Sequence, residues 1–229
     1  MKILYVAAWL VIIGFLVWSG NLLMKIQSMG SETGDLHQLR LDLDSLASAW
    51  RDLNRPGNDV LENYEVQEQR DAFGLYKQRY DAIHAALQQR LQGDDVMLPL
   101  ISDLAPARDT LVDLAEQVLV LSKQREALRL VQAEAGLISE KETAAASAMA
   151  RMDQTFQDGL DVILQASAAV VGQERGLEAL QGNNFQLLYI MLLVMLLASA
   201  LSLELFRHSV RQRIALRDSA VRINTIVNN

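Results

Sequence analysis

The side chains in this sequence with the chemistry to hold a ligand are few. Arg40, Trp50 and Arg51 stand on one helical stretch. A guanidinium presents a planar fork of donors that suits an anion, and an indole adds an apolar body with one donor. These three are the ligand-binding candidates. The plainer reading of the two cations is a solvated face paired with Asp42, Asp44 and Asp52. Asp52, Asn54, Asn58 and Asp59 gather oxygens around Pro56-Gly57. A calcium ion takes about six to eight oxygens, the loop lacks EF-hand spacing, and the same residues serve to end one helix and begin the next. Tyr76 and Tyr80 sit one turn apart, as a core seam or as a ligand cage. His84 titrates in the range of an acidity sensor or is an ordinary surface histidine. Arg125 occupies a seam slot, where it snorkels, pairs with an acid or faces a partner.

Other chemistry is excluded by composition. The 229 residues contain no cysteine, hence no disulfide framework, thiolate metal site or cysteine nucleophile. His37, His84 and His208 are far apart, without the spacing of a zinc or haem site. There is no catalytic triad, P-loop or paired-carboxylate motif, so the expectation is no catalytic residues, no cofactor and no metal. A net charge of −7 argues against nucleic acid as a partner.

The elements that must position these residues are helices. Half of the chain (51 %) is hydrophobic but only 6 % is aromatic, with three prolines, the composition of long helices. Two apolar runs stand out. Residues 3–24 carry no charge and are bracketed by Lys2 and Lys25. A helix of that length rises roughly 33 Å, enough for a hydrocarbon core of about 30 Å. Residues 185–203 form a second uncharged run, closed by Glu204 and Arg207. The first exceeds the apolar stretch of a signal peptide and is followed by no small-residue cleavage pattern. Both are expected to span a membrane.

The tail 204–229 has five arginines against two acids, whereas residues 26–184 hold 14 Lys+Arg against 26 Asp+Glu. The positive-inside rule places the tail in the cytoplasm. Two spans then place the N-terminus there too and residues 26–184 outside, in the periplasm of a bacterium.

Within 26–184 the apolar residues recur at helical spacing. Leu36, Leu39, Leu43, Leu46, Trp50 and Leu53 alternate by three and four, until Asn54-Arg55-Pro56-Gly57-Asn58-Asp59 predicts a turn. Phe73, Tyr76, Tyr80, Ile83 and Leu87 repeat the pattern up to Gly93-Asp94-Asp95. Leu104, Ala107, Leu111, Leu114, Val118, Leu121 and Leu128 make a third stretch, stopping at Gly136. Ser139 and Glu142 form a capping box that opens a fourth, with Met149, Met152, Phe156, Ile163 and Val170 at looser spacing. The fold class expected is all-α: two transmembrane helices flanking an antiparallel four-helix-bundle extracytoplasmic domain. At about 1.5 Å per residue the fourth helix would outrun the first, unless it breaks at Gly172, Gly176 or Gly182.

This plan resembles the input half of bacterial transmembrane sensors: histidine kinases, chemoreceptors and diguanylate cyclases. Asp52-Leu53-Asn54-Arg55-Pro56-Gly57-Asn58-Asp59-Val60 is similar to a stretch in outer domains of histidine kinases and diguanylate cyclases. Arg222-Ile223-Asn224-Thr225-Ile226-Val227-Asn228-Asn229 looks like the lead-in to a PAS domain, and Arg207–Asp218 resembles the charged helix that precedes one. The resemblance implies a sensor of an extracytoplasmic stimulus in the bacterial inner membrane. It implies a homodimer whose input is a small ligand or a periplasmic binding protein. It also implies that a PAS and output domain, most simply a histidine kinase, follows a chain cut at its start. No phospho-acceptor helix, nucleotide lobe, G-G-D-E-F or HAMP module is present to carry that output. A chemoreceptor or diguanylate cyclase input, or a two-span scaffold for a partner complex, are the alternatives.

Overall fold

In a computed structural model the described residues are 2–63, 66–132 and 134–227, with side chains described for fewer of them near residues 1–12, 56–65 and 205–229. All regular structure among them is helical. The helices are α1 (Lys2–Asn63), α2 (Val66–Arg90), α3 (Met97–Ser102), α4 (Leu104–Leu130) and α5 (Ala135–Val227). They divide between two compact units, Glu32–Gly176 and Met1–Ser31 with Leu177–Asn229.

In Glu32–Gly176 one core joins segments of every helix. Leu43, Leu46, Trp50 and Leu53 of α1 are fully buried, as the alternation by three and four requires, and Phe73, Tyr80 and Leu87 of α2 join them. Cross-helix contacts fix directions. Going up α1 from Asp42 to Asp52, the α2 partners go down from Arg90 to Arg79. Going from His37 to Asn54, the α5 partners go down from Glu174 to Asp153. Lys77 and Asp81 of α2 meet Glu116 and Arg108 of α4, and Arg129 of α4 meets Glu142 of α5. The α1–α2, α1–α5 and α2–α4 pairs of segments, each with two such contacts, run antiparallel.

The seam of α5 differs from that expected. Its buried positions are Ala145, Ala148, Met152, Gly159, Ile163, Ala166 and Val170, with Phe156 partly buried. That is a three–four spacing with one doubled four-residue step around Met152, in which alanine and glycine fill half of the slots. The spacing looked loose because only large residues announce a seam. On α4 the seam slips after Val118, so that Leu119 and Ser122 are buried and Leu121 is not.

Helix ends also differ. α1 does not stop at the Pro56-Gly57 turn; its backbone stays helical to Asn63. α4 ends at Leu130 and α5 begins at Ala135, so neither Gly136 nor the Ser139 capping box marks a boundary. Instead the Glu134 carbonyl accepts the N–H groups of Leu137 and Ile138, and Ser139 lies inside the helix with its carbonyl accepting the Thr143 hydroxyl. The turn after α2 falls where expected: Gly93 takes φ +93°, a conformation that costs glycine little. The Asp94 carboxylate then accepts the N–H groups of Val96 and Met97, starting the short α3 that the periodicity did not reveal. α5 is helical throughout, Gly172, Gly176 and Gly182 included.

In the other unit, Ile26 and Met29 are buried and Asn184 donates to Met29 Sδ at 3.5 Å. Most of the described apolar residues are exposed, Leu187, Ile190, Leu193, Leu197 and Leu201 among them. Among the described residues one helix is long and apolar enough to cross a membrane, within Ala135–His208. The side chains of residues 3–12, half of the first apolar run, lie outside the described residues.

Candidate functional site

The three ligand candidates do not converge. Trp50 is fully buried, its ring 5.6 Å from that of Tyr80, and its indole N–H donates to the Phe156 carbonyl at 2.9 Å. It offers neither surface nor a spare donor. Arg40 and Arg51 are exposed. They are eleven residues apart, which puts them on similar azimuths but about 16 Å apart along the axis. One small anion cannot touch both.

Two of the three acids expected to neutralise them, Asp42 and Asp52, are engaged elsewhere. Asp42 takes Arg90 at 2.7 Å and Asp52 takes Arg79 at 2.7 Å. Arg40 lies instead 3.7 Å from Glu174 of α5, whose other carboxylate oxygen lies 3.6 Å from His37 Nδ1. The Glu174 side chain is only 13 % exposed while its two neighbours are largely in solvent. Arg40 and His37 of α1 therefore cover a sheltered carboxylate, an arrangement that holds α1 to α5. The signal that would have revealed it is the 3.6 period of α5 rather than any local motif.

Of the oxygen cluster near Pro56, Asn54 is 8 % exposed and donates to Asp153 Oδ1 at 3.2 Å, and Asp52 is in its ion pair. The side chains of Asn58 and Asp59 lie outside the described residues. Among the described residues no group of acids and histidines is arranged to hold a metal ion.

Tyr80 is a core residue, 1 % exposed, stacked on His84 at 5.5 Å between ring centroids. Its hydroxyl is buried without a hydrogen-bond partner. Burial pushes its ionisation well above the ordinary tyrosine range; the nearby Arg108 opposes this and Asp81 and Asp109 add to it. Tyr76 is half-buried against the same core. His84 is not a bare surface histidine: its Nε2 is 2.9 Å from the Ile101 carbonyl, which only accepts, so Nε2 carries the proton and tethers α3 to α2. Arg108 bridges Asp81 and Asp109 at 2.7 and 2.8 Å, and its pKa is raised: desolvation alone would lower it, but the hydrogen bond it donates to Asp109 and the charge of Asp81 outweigh that. Arg125 is buried at its seam slot, 6 % exposed, beside Ser122 at 1 %.

One open groove of about 400 Å³ lies between α4 and α5, lined by Gln124, Ala127, Leu128, Val131 and Lys141. Leu130, Val131 and Leu137 are exposed near it.

Comparison with protein families, with curated proteins and with solved structures gives no match. The chain's chemistry therefore rests on its own residues. They make a close-packed helical unit tied by ion pairs, with no catalytic constellation among the described residues.

Proposed function

We propose that the chain is the signal-input region of a bacterial membrane sensor. Residues 3–24 and 185–203 span the inner membrane. Residues 26–184 form a periplasmic antiparallel four-helix bundle, and residues 204–229 are a cytoplasmic helix leading to a PAS and output domain, most simply that of a histidine kinase. The observation that carries the reading is continuity. α5 supplies both a seam of the packed unit, from Ala145 to Val170, and the exposed apolar run ending in the basic tail. The opposed directions of neighbouring segments support the bundle, and the charge asymmetry of the sequence supports the orientation.

The stimulus is a small ligand or a ligand-loaded periplasmic binding protein acting on a homodimer. Of the three residues singled out, Arg51 offers an exposed cation, Arg40 does so only in competition with Glu174, and Trp50 answers the stimulus through core packing rather than contact. Stimulus binding biases two packings of the outer helices, which requires contacts that differ between them.

An immunoblot of source-cell membranes with an antibody to residues 32–176 tests this. The reading expects a band well above 25.5 kDa, the size of these 229 residues. A band at that size would remove the kinase-type reading and leave a two-span scaffold for a partner complex.

A further inference from the structure

Of the α5 seam positions from Ala145 to Val170, Gly159 alone lacks a side chain. Trp50 of α1 fills the space. A β-carbon at Gly159 would lie 2.7 Å from Trp50 Cε2 and 3.0 Å from Cη2, and nearer still to Cζ2. No real side chain tolerates such distances without moving the ring. The indole N–H is bonded at 2.9 Å to the carbonyl of Phe156, one turn before Gly159. Ring face and ring donor are thus both fixed on α5.

Sliding α5 along α1 would bring a neighbouring seam position under the indole. The next ones, Phe156 and Ile163, are about one turn away, or roughly 5 Å. Both carry bulky side chains where the ring needs a bare backbone. A displaced register has no slot for Trp50, although another backbone carbonyl would come within reach of its donor. Two other α1–α5 contacts keep the same register, from Asn54 to Asp153 and from His37 and Arg40 to Glu174.

We propose that Trp50 and Gly159 form a register pin that blocks axial sliding of α5 along α1 within residues 32–176. Its consequence rests on the sensory reading: a stimulus would not cross this region as a piston stroke between the two helices that carry the apolar runs. It would instead act by repacking α2–α4 against a fixed α1–α5 pair. The polar links from α2 to α1, Arg79–Asp52 and Arg90–Asp42, are partly exposed ion pairs, which are weakly held.

The test uses the full chain in nanodiscs with nitroxide labels at Glu32→Cys on α1 and Asp158→Cys on α5, both exposed positions on a background with no native cysteine. The register of the contacts offsets these sites along the axis by about 25 Å, so sliding changes the distance nearly one for one. With doubly labelled chains diluted into unlabelled ones, so that each dimer holds at most one labelled chain, pulsed electron–electron resonance should give a single narrow distance in the unmodified background. It should stay narrow in Trp50→Phe, which keeps a ring in the slot. In Trp50→Leu it should broaden or gain a population displaced by about 5 Å, one turn of slip. Should Trp50→Leu unfold, Gly159→Ala, which drives the ring out, carries the same test. Distributions that superimpose on the unmodified one in these variants, with helical circular dichroism intact, would overturn the pin. No stimulus is needed, so the pin stands or falls apart from the native-size measurement; a band at 25.5 kDa removes the sensory consequence and leaves the pin.

Discussion

Residues 32–176 and the remainder of the chain are built from the same helical periods but dispose of their apolar side chains in opposite ways. In the first, leucines at three–four spacing face inward and polar side chains carry the ion pairs outside. In the second, most of the apolar residues from Leu187 to Leu203 are exposed, with Leu188, Met191 and Met195 half-buried along one stripe of α5. A helix apolar on most of its faces is covered by other protein or by a membrane. The packed unit is written in the sequence as a stripe and the exposed segment as an uninterrupted apolar run, which on the proposed reading is the pattern that burial in lipid leaves.

The comparison breaks most severely at Trp50. Trp50→Ala empties the largest fully buried side chain and removes the indole's bond to the Phe156 carbonyl, and should cost about 3–5 kcal/mol in chemical denaturation followed by circular dichroism. Leu193→Arg tests the other region. It should leave the melting of residues 32–176 unchanged while reducing membrane insertion, at a cost of about 2.5–3.5 kcal/mol at mid-span, read from the fraction recovered in carbonate-washed membranes. Gly159→Ala should destabilise by about 1–3 kcal/mol, against the usual gain when glycine becomes alanine in a helix. The same change at Gly172, which has open space around it, should be neutral or stabilising in the same melts.

Tyr80→Phe should have the smallest effect at neutral pH, within about 1 kcal/mol, because it removes a hydroxyl with no partner. Its effect grows with alkalinity. The folded tyrosine holds its proton beyond the ordinary value of 10.0, so the stability tied to it is complete below that pH and is lost as pH rises above it. Denaturation at pH 9 and pH 11 should show the unmodified protein losing more stability than Tyr80→Phe.

Large residues made much of this fold legible. The α1 and α2 seams, from Leu39 to Leu53 and from Phe73 to Leu87, could be read directly. The α5 seam could not, since alanine and glycine occupy so many of its slots; the glycine that receives Trp50 gives no local sign of what it touches. Turn chemistry misled at Pro56-Gly57, where α1 continues to Asn63. A proline removes one hydrogen bond and costs a few kcal/mol, a local preference that surrounding packing can override. The cations Arg40 and Arg51 were visible in the sequence, but their separation along α1 and the partner Glu174 become apparent only when α5 is laid beside them.

Topology tests the central claim most directly. With no native cysteine, single replacements at Leu75, exposed in the packed unit, and at Val210, beyond the second apolar run, can be labelled without background. A membrane-impermeant maleimide is applied to bacterial cells with a permeabilised outer membrane and an intact inner membrane. The account predicts that Leu75→Cys is labelled and that Val210→Cys is labelled only after lysis. Equal labelling of the two, or labelling of Val210→Cys alone, would contradict it.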